Sequence, residues 1–148
     1  MPTLSENKKA HHDYEFLDDL EVGVVLSGQE VKSTRNKRMK LQGSYGIIRD
    51  GALWLVGCFI AAYKQAGPLP DYDPSKTRKL LAHKKEIQKI VGRLQGERLT
   101  LVPKKAYTSQ GRIKITLSLA RTKRAFEKRE LLRRKTVERE MSRELRKK

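Results

Sequence analysis

The chain has 148 residues, one cysteine and a formal net charge of +17 at pH 7. This length supports one domain of roughly 100 to 120 residues plus a tail, and such a domain can bury a core without disulfide bonds. The longest apolar run, residues 52–60, is shorter than the ~20 residues that span a bilayer, and the start lacks the apolar core of a secretory signal. We therefore expect a cytoplasmic protein.

Positive charge is present in both parts of the chain. Residues 121–148 hold 13 of the 34 Lys and Arg and 5 of the 17 Asp and Glu, which leaves +8 on this segment and +9 on residues 1–120. Such an excess is typical of proteins that bind a phosphate backbone, because each neutralised phosphate releases condensed counterions. RNA or DNA is therefore the first partner to consider.

The first part of the chain predicts a flexible start followed by β-structure. Residues 1–12 are polar, and we expect them to be flexible until they meet a partner. The apolar segment Glu15–Val31 predicts strand, in which Gly23 and Gly28 suggest bulges. Lys32–Lys40 then reads as a basic connector.

The middle of the chain predicts a hairpin and a loop. Tyr45–Arg49 and Ala52–Val56 flank Asp50-Gly51, a strong hairpin signal because both residues tolerate positive φ. These two strands should pair. The proline-bearing segment Gly67–Pro74 predicts a loop that interrupts the sheet.

A helix and a second hairpin follow. From Leu80 the apolar positions have helical spacing, with Gly96 as a plausible end of the helix. The segments Leu99–Tyr107 and Arg112–Leu119 predict two further strands, and the second alternates between apolar and polar residues. Such alternation indicates one buried face and one wet face.

Together these elements predict a mainly β fold. About six short antiparallel strands with one to three helices fit a small β-barrel of oligonucleotide-binding-like topology best. We expect two units: an RNA-binding barrel domain over residues 1–120 and a basic tail over residues 121–148.

The tail could extend about 42 Å as a helix, at about 1.5 Å per residue. Repeated like charges at spacing four oppose that helix, and its apolar stripe is too thin to pack strongly on the domain. We therefore expect the tail to be disordered alone and helical when anionic RNA removes the repulsion. The alternative is a solvated basic extension that only raises nonspecific affinity.

No set of residues predicts catalysis. Cys58 lies in an apolar stretch, which favours a buried, inert thiol. His11 and His12 lie beside Asp13, but three histidines and one cysteine in the whole chain make a metal site improbable. The sequence has no Gly-rich phosphate loop, no nucleophile elbow and no credible triad. We expect a protein that is not an enzyme and needs no cofactor or metal.

Several short motifs agree in order and spacing with a known family. They are Asn7–Tyr14, Glu21–Gly23, Gly28–Ser33, Ser44-Tyr45 with Asp50-Gly51, Asp73–Leu81, Leu101–Pro103 and Lys128–Glu130. Each motif is weak alone, but all of them in register are highly specific. The chain resembles the small protein B family, the SsrA (tmRNA)-binding proteins of bacterial trans-translation, over nearly its whole length.

This resemblance implies a barrel that docks on the tRNA-like domain of tmRNA and a tail that enters the empty mRNA channel of a stalled ribosome. It implies partners in the small-subunit decoding region, and alanylated tmRNA with elongation factor Tu. The implied RNA-binding residues are Asn7, Lys8, Glu21, Glu30, Lys32, Arg35, Arg78, Lys79 and Leu81. The implied ribosome-contacting tail residues are Phe126, Glu127, Lys128, Arg129, Arg133 and Arg134.

The chain departs from the family pattern at several positions. These are Lys37, Lys40, Gly43, Phe59, Phe126, Glu127 and Thr136. The lysines add charge and are compatible with RNA binding. The changes at Phe126 and Thr136 concern the detailed tail contacts, although stacking on a base needs only an aromatic face.

Four of the proposed residues have a structural alternative. Glu30 could be an internal partner of a nearby lysine, Leu81 could be a core residue, and Arg78 and Lys79 could be solvated charges. Two other functions also remain open from the residues: a basic ribosomal or other translation-associated RNA-binding protein, and a metal-dependent nuclease that uses Asp71, Asp73 and Glu86.

Overall fold

The structure, a computed structural model, describes residues 2–123 and, in the tail, residues 133, 134, 136, 137, 139 and 141. Within these residues the elements in chain order are β1 (Thr3–Glu6), α1 (Lys8–Asp13), β2 (Tyr14–Val24), α2 (Gly28–Arg35), β3 (Met39–Lys40), β4 (Tyr45–Arg49), β5 (Ala52–Val56), β6 (Phe59–Ile60), a 3₁₀ turn (Lys64–Ala66), β7 (Arg78–Leu81), α3 (Lys84–Gly96), β8 (Thr100–Ser109) and β9 (Arg112–Thr122).

Six strands close into an antiparallel ring in the order β8–β4–β5–β7–β2–β9, because β9 also pairs with β8. The other edge of β8 is shared: Leu101 pairs with Gly46 of β4, whereas residues 105–107 pair with β1. β3 and β6 form a separate two-stranded sheet. The prediction of a mainly β fold, a small antiparallel barrel of about six strands with one to three helices, is confirmed.

The barrel is filled by aliphatic side chains. Leu53, Leu55, Ile115 and Leu117 are among the fully buried residues, and α3 packs against this core through Ile90. Closure of the ring depends on Gly46, because a Cβ atom there would lie 2.9 Å from Cβ of Leu101. Non-bonded carbons prefer about 3.5–4.0 Å, so a side chain at this position would separate β4 from β8.

The predictions for residues 1–40 need correction. Residues 1–12, expected to be flexible, contribute β1 and α1. The strand predicted to reach Val31 ends at Val24, and the register shift in β2 lies between Phe16 and Asp18 rather than at Gly23 or Gly28.

The first part of the predicted basic connector, Lys32–Lys40, is helical. Ser27 and Glu30 form a capping box that starts α2 at Gly28, because each side chain accepts a hydrogen bond from the other residue's N–H. The helix runs to Arg35, and β3 follows within the same segment.

The two hairpins are confirmed. Asp50 and Gly51 both have positive φ, as the turn between β4 and β5 requires. β8 and β9 pair in the predicted region, although Ser118, expected on the wet face, is buried and donates to the carbonyl oxygen of Asp18. The predicted helix begins at Lys84 rather than near Leu80, which belongs to β7.

Cys58 is buried, as predicted, and burial raises the pKa of its thiol to about 11. No helix in the described part of the chain is both long and apolar enough to cross a membrane. The described tail residues have α-helical backbone and are exposed. The prediction that the tail is disordered alone and helical on the ribosome stays a prediction.

Candidate nucleic-acid interface

Two rows of side chains cross the outside of the barrel where β7, β2, β9 and β8 lie side by side. Their neighbours along each strand, such as Leu80, Val22 and Ile115, are buried in the core. Backbone pairing aligns Leu81, Gly23, Lys114 and Tyr107 in the first row, and Glu21, Thr116 and Lys105 in the second. We call these two rows the Leu81 face.

Leu81 is the apolar centre of this face. Its side chain is 53% exposed, so the alternative that it is a core residue is wrong. Gly23 lies beside it, and a Cβ atom at that position would be 3.4 Å from Cβ of Leu81. The same Cβ atom would be 3.6 Å from Cδ1 of Leu81 and 3.8 Å from Nζ of Lys114, so these two side chains cover the buried Gly23.

A cavity of about 240 Å³ adjoins Leu81, and two arginines line it. Arg35, at the end of α2, donates through Nη2 to the carbonyl oxygen of Gly111 at 3.1 Å. Arg112 follows at the start of β9. The arrangement combines an apolar side chain with planar cations, which suits an unstacked base and its phosphates.

Glu21 is the acidic group of the face. It lies on β2 and accepts a hydrogen bond from the hydroxyl of Tyr107 through Oε2. Burial, together with the hydrogen bond to Glu21, raises the pKa of Tyr107. A carboxylate in this position can accept hydrogen bonds from base edges or 2′-hydroxyl groups.

Lysines surround Glu21 and Leu81. Lys79, a predicted site residue, is exposed on β7 on the same side as Leu81. Lys114 and Lys105 belong to the two rows but were not among the predicted residues. The polar positions of β8 and β9 were the signal that could have found them, since alternate residues of a strand share one face.

Three predicted RNA-binding residues lie inside the protein. Asn7 is 3% exposed; its amide donates to the carbonyl oxygen of Pro103 at 2.9 Å, and its side-chain oxygen accepts from the N–H of Ala10 at the start of α1. It therefore joins α1 to β8. Its polar atoms are used in these internal hydrogen bonds, and although the residue lines the larger groove described below, it lies outside the Leu81 face.

Glu30 and Arg78 form a buried ion pair. Arg78 Nε lies 2.7 Å from Glu30 Oε2, and Lys76 Nζ lies 3.5 Å from Glu30 Oε1. Burial opposes the charged carboxylate, but hydrogen bonds from Ser27 and Arg78 outweigh it and lower the pKa of Glu30.

The same pair holds the proline-bearing loop. Arg78 also donates to the carbonyl oxygens of Cys58, Lys76 and Pro74. The hydroxyl of Tyr72 lies 2.7 Å from the carbonyl oxygen of Ile60. The structural alternative stated for Glu30 therefore describes it well, although its closest partner is an arginine. Direct RNA contact by Glu30 or Arg78 is incompatible with this burial.

The remaining predicted residues lie outside the two rows. Lys8 is exposed on α1, and Lys32 on α2 places Nζ 5.7 Å from the ring centre of Tyr63. Arg133 and Arg134 are exposed and helical in the described part of the tail. Phe126, Glu127, Lys128 and Arg129 lie outside the described residues.

A larger groove of about 680 Å³ lies between α1, β3, β4 and β6. Tyr45 and Phe59, which are 43% and 37% exposed, line it together with Lys9 and Lys40. Lys40 Nζ lies 5.9 Å from the ring centre of Phe59. The end of β9 adjoins this groove, because Thr122 pairs with Tyr14, which lines it. The tail therefore leaves the barrel beside the groove.

The nuclease alternative finds no support in the geometry. Asp73 accepts a hydrogen bond from the N–H of Ser75 in its own turn, and Glu86 accepts one from the N–H of His83 at the start of α3. Among the described residues, no group of three or more His, Cys, Asp or Glu side chains is placed to hold a metal ion.

Comparison with known proteins shows the family. The family model described as SmpB protein matches residues 4–147. An SsrA-binding protein of Enterococcus faecalis is 44% identical over 142 residues, covering 96% of this chain and 92% of the relative. An SsrA-binding protein of a Sulfurihydrogenibium species is 44% identical over 138 residues, covering 93% of this chain and 90% of the relative.

A solved structure agrees with these relatives. It is described as "tmRNA-SmpB: a journey to the center of the bacterial ribosome", with a TM-score of 0.67 and 43% identity, covering 81% of this chain and 84% of that one. The resemblance carried by the sequence motifs is thus confirmed: the chain belongs to the SmpB protein family.

Proposed function

We propose that this chain is a tmRNA-binding protein of trans-translation, which binds the tRNA-like domain of tmRNA and delivers it to stalled ribosomes. The observation that carries the proposal is the Leu81 face, where exposed Leu81, Glu21 and lysines lie together on rigid strands. The similarity to SsrA-binding proteins supports tmRNA as the RNA.

The face suits structured RNA with unstacked bases. RNA-binding proteins gain specificity by contacting unstacked bases in loops. They stack on these bases or pack apolar side chains against them, and they form hydrogen bonds with the base edges. Leu81 supplies the apolar contact, and Glu21 supplies an acceptor. Lys79, Lys114 and Arg35 supply phosphate contacts, which position the RNA without reading its sequence.

The side of the barrel with the groove would face the ribosome. The tail leaves the barrel there, and Lys9, Lys40, Tyr45 and Phe59 offer cations and aromatic surfaces to ribosomal RNA. The tail would then enter the empty mRNA channel, where Phe126 to Arg129 and Arg133-Arg134 are the proposed contacts near the decoding region. The role is binding and positioning, in the cytoplasm, with no chemical step assigned to this chain.

Recovery of the RNA bound in cells tests this function. Affinity purification of the chain should enrich tmRNA over bulk tRNA, together with stalled ribosomes. We also expect alanylated tmRNA with elongation factor Tu in the delivered complex. Stoichiometric co-purification with ribosomes in unstressed cells, without tmRNA enrichment, would instead identify a ribosomal protein.

A further inference from the structure

Tyr107 is a buried member of the Leu81 face. It is 7% exposed on β8, a strand held by β9 along its whole length and by β1 at this end. Lys105 Nζ lies 5.6 Å from the centre of its ring. The hydroxyl donates to Oε2 of Glu21 on β2, two strands away across β9.

This hydrogen bond restricts a side chain that would otherwise be mobile. Glu21 is exposed, and an exposed glutamate has several rotamers of similar energy. Among the described residues it has no ion-pair partner, whereas Asp19 on the same strand is 2.9 Å from Lys104 Nζ. A neutral donor therefore orients Glu21 without neutralising it. The raised pKa of Tyr107 keeps the phenol protonated at neutral pH, so it remains a donor.

We propose that Tyr107 is a positioning residue of the RNA-binding face: its hydroxyl fixes one carboxylate oxygen of Glu21 so that the other accepts a hydrogen bond from the bound RNA. The donor on the RNA is a base amino or imino group or a 2′-hydroxyl. This inference rests on the proposed function and extends it by separating discrimination between RNAs from the binding of phosphates. Tyr107 acts on discrimination between RNAs, through Glu21, and makes no phosphate contact.

The experiment compares Tyr107→Phe, Glu21→Ala and the double variant. Tyr63→Phe is the matched control, because it removes a phenol hydroxyl from a half-buried residue outside the Leu81 face. The dissociation constants for the isolated tRNA-like domain of tmRNA and for bulk tRNA are measured over a series of salt concentrations. Thermal unfolding of each variant reports its stability.

We expect Tyr107→Phe to lower the preference for the tRNA-like domain by about three- to tenfold, which is within the range of one typical protein hydrogen bond. The slope of log affinity against log salt should not change, because no phosphate contact is lost. The double variant should discriminate no worse than Glu21→Ala, and Tyr63→Phe should behave as the wild type.

Two results would overturn the inference while leaving the proposed function intact. One is a loss of discrimination in Glu21→Ala with none in Tyr107→Phe. The other is a Tyr107→Phe effect of equal size in the presence and absence of Glu21, since this would show a general loss of packing. If Glu21→Ala itself keeps full discrimination, Glu21 takes no part in recognition and the inference loses its premise, whereas the proposed function fails only if the wild-type chain shows no preference for the tRNA-like domain over bulk tRNA.

Discussion

The carboxylate of Glu30 and the guanidinium of Arg78, 48 residues apart in the chain, meet inside the protein with 2.7 Å between Oε2 and Nε. Glu30 belongs to α2, which ends at Arg35, and Arg78 begins β7, which ends at Leu81. The pair therefore fixes the helix that carries one candidate RNA contact against the strand that carries another. Both residues support the interface from within.

Replacing one partner of this pair should destabilise the fold. We expect Glu30→Gln to lower the free energy of unfolding at pH 7 by about 3–5 kcal/mol, because Arg78 is left buried without a compensating charge. Denaturant unfolding measures the change. The control is Glu97→Gln, which removes an exposed carboxylate 3.6 Å from Arg93 and should cost about 1 kcal/mol or less. Equal, small effects in both variants would show that the buried pair adds no stability.

The stabilisation by Glu30 should depend on pH with a defined sign. Although burial favours the neutral form, the hydrogen bonds from Ser27 and Arg78 lower the pKa of Glu30 below its usual value of 4.5. Its contribution is therefore fully present above that value and is lost as the pH falls through the lowered pKa. The difference in unfolding free energy between wild type and Glu30→Gln should narrow as the pH falls from 5 towards 3, as measured by denaturant titrations at each pH. If this difference in unfolding free energy stays constant across the range, a lowered pKa of Glu30 is contradicted.

Leu81 should matter for binding and not for folding. We expect Leu81→Ser to weaken binding of the tRNA-like domain of tmRNA by about tenfold, near the low end of the 1–3 kcal/mol per base found for stacking on aromatic side chains. Its melting temperature should change little, because the side chain is already exposed. Val137→Ser is the matched control: this valine is 43% exposed in the tail, which we do not expect to contact the tRNA-like domain. Similar losses in both variants would indicate a general effect of surface apolarity.

The lysines in and beside the Leu81 face should contribute through charge. Lys79→Ala and Lys114→Ala should each lower the salt dependence of tmRNA binding by about 0.7–0.9 in the log–log slope, the value for one lost phosphate contact. Fluorescence anisotropy over a salt series measures the slope. Lys85 is exposed on α3 and lies outside the two rows, so Lys85→Ala removes the same charge elsewhere and should leave the slope nearly unchanged. If all three variants lower the slope by the same amount, these lysines contribute only to the overall positive potential of the protein and make no specific phosphate contact.

Local signals in the sequence predicted local structure. The Asp50-Gly51 turn determines its own hairpin, because positive φ is needed at both positions and the flanking strands are adjacent in the chain. The capping box of Ser27 and Glu30 was also present as a readable pattern, a serine three residues before a glutamate. Gly28 was instead interpreted as a bulge, and this error extended the predicted strand through the first turn of α2.

The burial of the candidate site residues could not be predicted in this way. Asn7 donates a hydrogen bond to Pro103, and Glu30 pairs with Arg78. Both contacts depend on how a helix and a strand that are far apart in the chain come together. A charged residue in a motif shared with a family can serve the fold or the ligand, and sequence spacing does not separate the two. Lys114 was missed although its strand was predicted correctly. The sequence does not show that Lys114 lies beside Gly23 and Tyr107 in the sheet.

The tail should be needed on the ribosome and not for binding tmRNA. A chain ending at Lys123 keeps the complete barrel, because the N–H of Lys123 donates to the carbonyl oxygen of Asp13 at 2.9 Å. We expect it to bind the tRNA-like domain within a few-fold of the full chain. It should deliver tmRNA to stalled ribosomes but fail to support peptide tagging in a reconstituted assay.

Helical structure in the tail should be required for the same step. Thr136→Pro with Val137→Pro should abolish most tagging, because a proline inside a helix costs about 3 kcal/mol or more. The matched control, Thr136→Ala with Val137→Ala, changes the same exposed side chains but favours helix. A tail that occupies the mRNA channel excludes mRNA by steric competition, so tagging should fall as the mRNA extends further past the decoding site. Full tagging by the truncated chain would show that the tail is only a solvated extension. Full tagging by the proline variant, with none by the truncated chain, would show that the tail acts through its charge and needs no helix.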